Sequence, residues 1–163
     1  TKEVERFEPH GARNPYGPTF NMADLDNTLE SLFKDFNNNI KYIRPIEYLP
    51  KIGIQVLDGE DISSKRLGDP EGFCGLWSIW YVDMRLKHKH LDRKLLLKTL
   101  IQKIRNKNIS YKNMIRNYGN DIVKMRDDLL SRSGIDINSW LTDRYSVHNL
   151  KLLSKNIMQL HSE

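Results

Sequence analysis

One segment near the middle of the chain constrains its fold most strongly. From Phe73 to Leu86 the apolar residues occupy nearly every face of a predicted helix instead of a single stripe. A helix that is apolar all round is buried on most sides. The segment therefore predicts a central helix over 73–88 on which the rest of the domain packs. Trp77 and Trp80 share one face at i and i+3 and are predicted to lie in the core.

The single cysteine, Cys74, lies in the first turn of this predicted helix. One cysteine excludes an intramolecular disulfide and a cysteine-based zinc cluster, and it indicates a reducing compartment. The free N–H groups and the positive end of a helix dipole favour a thiolate, as a nucleophile requires. The alternative is that Cys74 is a small buried hydrophobe. Asp69 and Glu71 are predicted to line the approach to it, within a polar loop.

Around this helix the sequence predicts an α+β fold, with a small sheet packed on the central helix. The 163 residues, 39% of them hydrophobic, are enough for a packed core. Apolar spacing predicts extended segments at 2–8, 40–49 and 52–57, and helices from Asp24 to the Asn37–Asn39 run and at 91–107, 111–132, 137–144 and 147–161. Gly134 is predicted to end the helix at 111–132. We expect a core domain over 1–108 and a helical extension over 109–163 packed on it.

Three strings of residues resemble a known family. They are Glu5-Arg6-Phe7-Glu8-Pro9-His10-Gly11, Gly53-Ile54-Gln55 and Gly72-Phe73-Cys74-Gly75-Leu76-Trp77-Ser78-Ile79-Trp80-Tyr81. Over residues 3–106 the chain resembles a group of predicted cysteine peptidases of large DNA viruses and some other genomes. The order of parts is similar to that of adenovirus proteinase and the SUMO-specific proteases.

The resemblance implies a papain-like domain that hydrolyses peptide or isopeptide bonds of a protein substrate, with no cofactor and no metal. Cys74 would be the nucleophile, Gln55 the donor to the oxyanion, and Glu8 the carboxylate that orients the imidazole. The family's histidine lies in a strand upstream of the first string, and the sequence starts at Thr1, just after that strand. We therefore expect a domain without its first strands and its general base, inactive as given.

The alternative is a non-catalytic viral protein with the same kind of fold, either structural or engaged in protein interactions. The apolar stripes within 109–163 would then contact another protein. Either version is expected in the host cytoplasm or in the virion. No run approaches the ~18 apolar residues of a membrane span, and the sequence leaves the oligomeric state open.

A basic segment suggests a further partner. Nine Lys and Arg and one acid, Asp92, lie between Arg85 and Lys107, so the segment carries +8 in a chain of net charge +5. Such a segment predicts contact with an acidic partner or with the phosphate backbone of nucleic acid. The alternative is the solvated face of an amphipathic helix, because a clear apolar stripe accompanies the charges. The members of that stripe are Leu91, Leu95, Leu96, Leu100, Ile101 and Ile104.

Overall fold

The structure is a computed structural model that describes residues 2–13, 21–57 and 72–160. Asp69 and Glu71 lie outside the described residues. The chain divides into two compact units, Thr1–Ile115 and Arg116–Glu163. The domain boundary predicted at residue 108 stays a prediction.

Most of the described chain is helical, and two short strands form a small sheet. The strands are β1 (Lys2–Glu5) and β2 (Ile40–Ile43). The helices are α1 (Met22–Phe36), α2 (Pro45–Tyr48), α3 (Cys74–Lys87), α4 (Arg93–Asn106), α5 (Tyr111–Arg132), α6 (Ile137–Leu141) and α7 (Val147–Leu160), and a single 3-10 turn covers Ile54–Val56. This content is compatible with the predicted α+β class.

The two strands and α1 form a parallel β-α-β unit. The four residues of β1 pair in register with the four residues of β2. Parallel neighbours need a crossover connection, which is usually a helix, and α1 lies between the two strands in the chain. It begins where the Asn21 side chain accepts a hydrogen bond from the backbone N–H of Ala23 at 2.9 Å.

A buried carboxylate joins α1 to the sheet. Asp26 Oδ1 accepts hydrogen bonds from Arg6 Nε and from Tyr42 Oη, both at 2.8 Å. Burial, and then the bond to Asp26, raises the pKa of Tyr42 to about 12. The Arg6 guanidinium balances the charge of Asp26, which offsets the cost of burying that charge.

Helix α3 buries one face deeply. Trp77, Trp80 and Tyr81 are 2%, 4% and 2% exposed, which confirms the core positions predicted for the two tryptophans. The ring of Tyr81 stacks on Phe7 with centroids 4.2 Å apart and lies 6.0 Å from the ring of Tyr48. This aromatic group connects α3 to the chain that follows β1 and to α2.

The opposite face of α3 is exposed, contrary to the prediction of a helix buried on most sides. Ile79, Val82 and Leu86 are 56%, 55% and 71% exposed. Apolar side chains all round a helix show that every face suits burial. The spacing of apolar residues along the sequence does not say which of these faces is covered by other parts of the protein.

Helix α4 begins at Asp92, whose Oδ1 accepts a hydrogen bond from the Leu95 N–H at 3.1 Å. Its buried residues are Leu96, Leu97, Leu100 and Ile104. The predicted amphipathic stripe is thus largely confirmed. Leu95 is the exception, since it is 52% exposed.

Two extended segments predicted before α3 are mostly not strands. Only 40–43 forms a strand, since Pro45 opens α2 and Glu47 Oε1 accepts a hydrogen bond from the Arg44 N–H at 2.7 Å. Within 52–57 the chain forms a 3-10 turn. Elements of three or four residues are too short to show helical periodicity. The strand predicted over 2–8 ends at Glu5.

The unit Arg116–Glu163 has a small core of its own. It contains Leu130, Ile135 and Leu153, packed against Leu129, Trp140 and Tyr145. Gly134 has a φ of 68° and follows the last turn of α5, which confirms its predicted role. The N–H of Ile135 donates to the carbonyl of Leu130 at 2.9 Å across that turn.

Candidate functional site

Glu8, His10 and Gln55 form a polar cluster in the first unit. His10 Nδ1 lies 3.0 Å from Glu8 Oε1, and this oxygen also accepts a hydrogen bond from the backbone N–H of His10 at 3.2 Å. His10 Nε2 lies 3.2 Å from Gln55 Nε2. A neutral imidazole with its proton on Nδ1 satisfies both ring contacts, because Nε2 then accepts from the Gln55 amide.

Two glycines bring the loops of this cluster together. The Gly53 N–H donates to the carbonyl of His10 at 2.8 Å, and the Gln55 N–H donates to the carbonyl of Pro9 at 3.2 Å. A Cβ on Gly11 would lie 2.3 Å from Gly53 N, and a Cβ on Gly53 would lie 2.1 Å from the oxygen of Pro9. Gly11 also has a φ of 102°. Only glycine fits this close crossing of two backbones.

The amide of Gln55 closes the space between His10 and the chain entering α3. A Cβ on Gly72 would lie 3.3 Å from Gln55 Nε2. Gln55 Oε1 is buried and accepts no hydrogen bond from a described residue. A buried carbonyl oxygen without a donor is costly, so Gln55 is the least satisfied member of the cluster.

Cys74 is the first residue of α3, and its thiol is free and exposed. The prediction of a small buried hydrophobe is therefore wrong. Its backbone carbonyl accepts a hydrogen bond from Ser78 Oγ at 2.9 Å. Within the described residues no hydrogen bond joins the Cys74 thiol to Glu8, His10 or Gln55.

The structure thus brings together two of the three residues to which the sequence assigned a role. Glu8 and Gln55 share one cluster, and His10, which received no role, lies between them. The spacing of Glu8 and His10 at i and i+2 indicates a local contact between them. It does not reveal that Gln55, from a distant loop, contacts His10. The catalytic roles of Cys74, Gln55 and Glu8 are not tested by these contacts and stay predictions.

A second cluster binds two arginines of the basic segment. Glu5 accepts hydrogen bonds from Tyr81 Oη at 3.0 Å and from Arg85 Nε at 3.1 Å, and it also pairs with Arg93. Arg93 pairs in addition with Glu3 at 2.5 Å. The hydrogen bond from Arg93 lowers the pKa of Glu3 below its usual range. These arginines therefore hold β1 against α3 and α4, and their charge is compensated.

Three other cations of the segment form what we call the cationic surface: Lys94, Lys98 and Arg105. They are exposed on α4 and have no carboxylate partner among the described residues. With 3.6 residues per turn they fall within a sector of about 40°, and a rise of 1.5 Å per residue spreads them over about 16 Å. Arg105 Nε donates to Tyr111 Oη at 3.0 Å, which orients its guanidinium. The surface is a straight row of uncompensated positive charge.

The described ranges contain no group of three His, Cys, Asp or Glu that could hold a metal ion. None of the helices in these ranges has both the length and the hydropathy of a membrane span.

A curated protein of Acanthamoeba polyphaga mimivirus, named "Putative ankyrin repeat protein", is 43% identical to the chain over 156 residues. The match covers 91% of this chain and 20% of the relative, so the chain spans a fifth of the length of the curated relative it matches. No family model matches the chain, and no solved structure matches it.

This relative overturns the assignment to cysteine peptidases. Its name describes an ankyrin repeat protein and not a peptidase, so we correct both the family resemblance and the predicted hydrolysis of peptide or isopeptide bonds. The predicted viral origin fits the relative. The alternative prediction of a non-catalytic interaction protein fits the name of the relative better than a peptidase does. The structure also gives the resembling strings a structural use, since Gly11 and Gly53 form the backbone crossing and Trp77 lies in the core.

The described part of this chain shows no ankyrin repeat. An ankyrin repeat is a unit of about 33 residues with a β-turn and two helices. Here a parallel β-α-β unit precedes helices of unequal length, and α5 alone has 22 residues.

Proposed function

We propose that the chain is a protein-interaction module of a viral protein and that the cationic surface of α4 binds an acidic surface of its partner. The row of Lys94, Lys98 and Arg105 carries the proposal, because it is exposed and uncompensated while Arg85 and Arg93 are paired. The name of the relative supports an interaction role, since ankyrin arrays bind partners through extended surfaces.

The position of these charges is unfavourable for the helix itself. Lys94 lies in the first turn of α4, where the helix dipole favours acids. Lys94 and Lys98 are like charges at i and i+4, which destabilise a helix. Residues that break a local rule without serving the packing are typical of functional surfaces.

A protein partner is favoured over a nucleic acid because the same exposed side of α4 presents Leu95, a large apolar side chain that phosphates do not contact. The proposed setting is a virus-infected host cell or the virion, since the relative is viral. Cys74, Gln55 and Glu8 have no part in this proposal.

The proposal is tested with fluorescently labelled poly-L-glutamate as the acidic probe and the full chain as the receptor. We expect binding that weakens steeply between about 50 and about 200 mM salt, as electrostatic contacts do. Charge reversal in the triple variant Lys94→Glu, Lys98→Glu, Arg105→Glu is expected to weaken the affinity at least tenfold.

The matched control is the triple variant Lys124→Glu, Lys151→Glu, Lys155→Glu, which changes the net charge equally at exposed lysines of the second unit. Its affinity for the probe should change less than threefold. Equal losses in the two variants would contradict a site on α4. If the chain binds a nucleic-acid duplex more tightly than poly-L-glutamate, the partner of this surface is a nucleic acid and not an acidic protein.

A further inference from the structure

The second unit has an open groove at the point where α5 ends and α6 begins, which we call the α5–α6 groove. Its volume is about 550 Å³, within the range of about 300–1,000 Å³ that is typical of ligand sites in proteins. Gly134, with its φ of 68°, turns the chain there, so that the last turns of α5 and the first residue of α6 face the same space. The residues of the groove that matter most are Asp127, Leu130, Ile135, Asp136 and Ile137.

The floor of the α5–α6 groove is apolar and fixed. Leu130 and Ile135 line the groove and also belong to the core of the unit, where each is 3% exposed. The hydrogen bond from the Ile135 N–H to the Leu130 carbonyl holds these two residues together. Ile137, which is 36% exposed, adds an apolar wall that is open to solvent. Such a surface suits an aliphatic chain laid along it.

Asp136 gives the groove a negative charge. Its carboxylate caps α6 and accepts hydrogen bonds from the Ser139 hydroxyl and, at 2.9 Å, from the Ser139 N–H. The bond from the Ser139 hydroxyl, followed by the one from its N–H, lowers the pKa of Asp136 below its usual range. The carboxylate is therefore ionised at neutral pH, and the donors that stabilise it are uncharged.

The charge of Asp136 is not balanced by a cation of the described chain. The nearby arginines of α5 are engaged elsewhere, since Arg126 pairs with Asp127 at 2.8 Å and Arg132 pairs with Asp128 at 2.9 Å. Asp127 is thus compensated, and we count only Asp136. None of the described residues that line the groove is basic. The groove also lies at the C-terminal end of α5, where the helix dipole favours a cation.

A Lys or Arg side chain matches both properties of the groove, because each has an aliphatic stem and a cationic head. A free small molecule fits less well, since ligand sites usually bury 70–90% of the surface of their ligand and this groove is open to solvent. A side chain presented by another protein needs no such enclosure.

We infer that the α5–α6 groove binds a Lys or Arg side chain of a partner protein. The stem lies on Leu130, Ile135 and Ile137, and the cationic head lies at Asp136. This site goes beyond the proposed function, because the cationic surface of α4 requires an acidic partner surface and this groove requires a basic side chain. Its test does not depend on the poly-L-glutamate result.

The probe is N-acetyl-lysine methylamide, added to the ¹⁵N-labelled full chain and followed through the amide chemical shifts of residues 130–137. We expect a dissociation constant of about 1 mM, as for a ligand of this size. The matched probe is the same compound with its side-chain amine acetylated, which keeps the stem and removes the charge. It should bind at least threefold more weakly.

Two variants test the two parts of the groove. Asp136→Asn removes the charge and keeps a capping side chain, because Asn caps helices as well as Asp does, and it should weaken binding of the lysine probe at least threefold. Ser131→Leu places a larger side chain in the groove and should also weaken binding at least threefold. The matched control is Asp121→Asn, on an exposed position of α5 outside the groove, with a change below 1.5-fold.

Circular dichroism verifies that the variants fold. The inference fails if the lysine probe shifts no amide of the groove, if the acetylated probe binds equally well, or if Asp136→Asn binds the lysine probe as the wild type does. Equal losses in Asp136→Asn and Asp121→Asn would reduce the effect to net charge and overturn it too. If n-butylamine binds more tightly than the lysine probe, the groove takes a free small amine and not a side chain of a partner protein.

Discussion

Gly11 and Gly53 are the residues at which two distant loops of the first unit touch backbone to backbone. The contact aligns four long-range backbone hydrogen bonds, which include the one from the Ala12 N–H to the Pro50 carbonyl at 2.9 Å. It also places Gln55 against His10. The polar cluster therefore depends on the absence of two Cβ atoms.

We expect Gly11→Ala to lower the free energy of unfolding by at least about 2 kcal/mol, because alanine is strained at a φ of 102° and its Cβ would overlap Gly53. Urea unfolding followed by tryptophan fluorescence measures the effect. Gly75→Ala is the control, since a Cβ there meets nothing within 4 Å. That variant should be unchanged or up to about 1 kcal/mol more stable. Equal urea midpoints for Gly11→Ala and the wild type would contradict the close approach of the two backbones at Gly11 and Gly53.

The sequence indicated part of this arrangement. Glu8, Gln55 and Cys74 could be named from short strings, but the partner of His10 could not. A contact between loops this far apart depends on the whole path of the chain, and only the glycines mark it locally. The exposure of Cys74 could not be predicted either, because helix spacing gives the relative direction of side chains and not what covers them.

Helices α3 and α4 show what periodicity can predict. The predicted ranges 73–88 and 91–107 agree with the observed Cys74–Lys87 and Arg93–Asn106, and α5 has the predicted ends. Long elements repeat their spacing often enough to be recognised. The short α2 and the turn at Ile54–Val56 do not, so the sequence predicts extended chain at both places.

The uncompensated lysines of α4 should cost stability. We expect Lys94→Glu to raise the free energy of unfolding by about 0.5–1 kcal/mol at low salt, because it places an acid in the first turn and removes a like-charge pair. Lys103→Glu should instead lower the free energy of unfolding, because it places an acid in the last turn of α4. Thermal unfolding at two salt concentrations measures both, and salt should shrink both effects. A loss of stability in Lys94→Glu would show that the lysine serves the fold.

The positive charges of the first unit have two kinds of environment. Arg6, Arg85 and Arg93 pair with acids of α1 and β1, while Lys94, Lys98 and Arg105 of α4 are exposed. The sequence alone revealed the +8 segment but not this division, because Glu5 and its partners lie some eighty positions apart in the chain. The planar, multidentate guanidinium suits such partly buried pairs better than an ammonium does.

Three buried tyrosines should make the molecule sensitive to alkaline pH. Burial, and then the bond to Asp26, raises the pKa of Tyr42 to about 12, and burial also raises the pKa values of Tyr48 and Tyr81 well above 10. Above pH ~10 the unfolded chain loses phenolic protons that the folded chain keeps. The contribution of these tyrosines to stability should therefore be constant below that pH and fall as the pH rises from 10 to 12.

Urea unfolding at pH 8, 9.5 and 11 measures this slope. Tyr42→Phe removes one of the groups, so its free energy of unfolding should fall less steeply with pH, although it starts lower. If the free energy of unfolding of this variant falls with pH as steeply as that of the wild type, Tyr42 has the same pKa in the folded and the unfolded chain.

The crossing of Gly11 and Gly53 also bears on how the chain folds. Its residues are roughly forty positions apart, so the crossing must close a long loop before its hydrogen bonds can form. Contacts of such high sequence separation form late in folding and slow it. The paired residues of β1 and β2 are separated by nearly the same distance along the chain, so the crossing and the sheet close loops of similar length. We therefore expect the polar cluster to become complete together with the sheet and not before it.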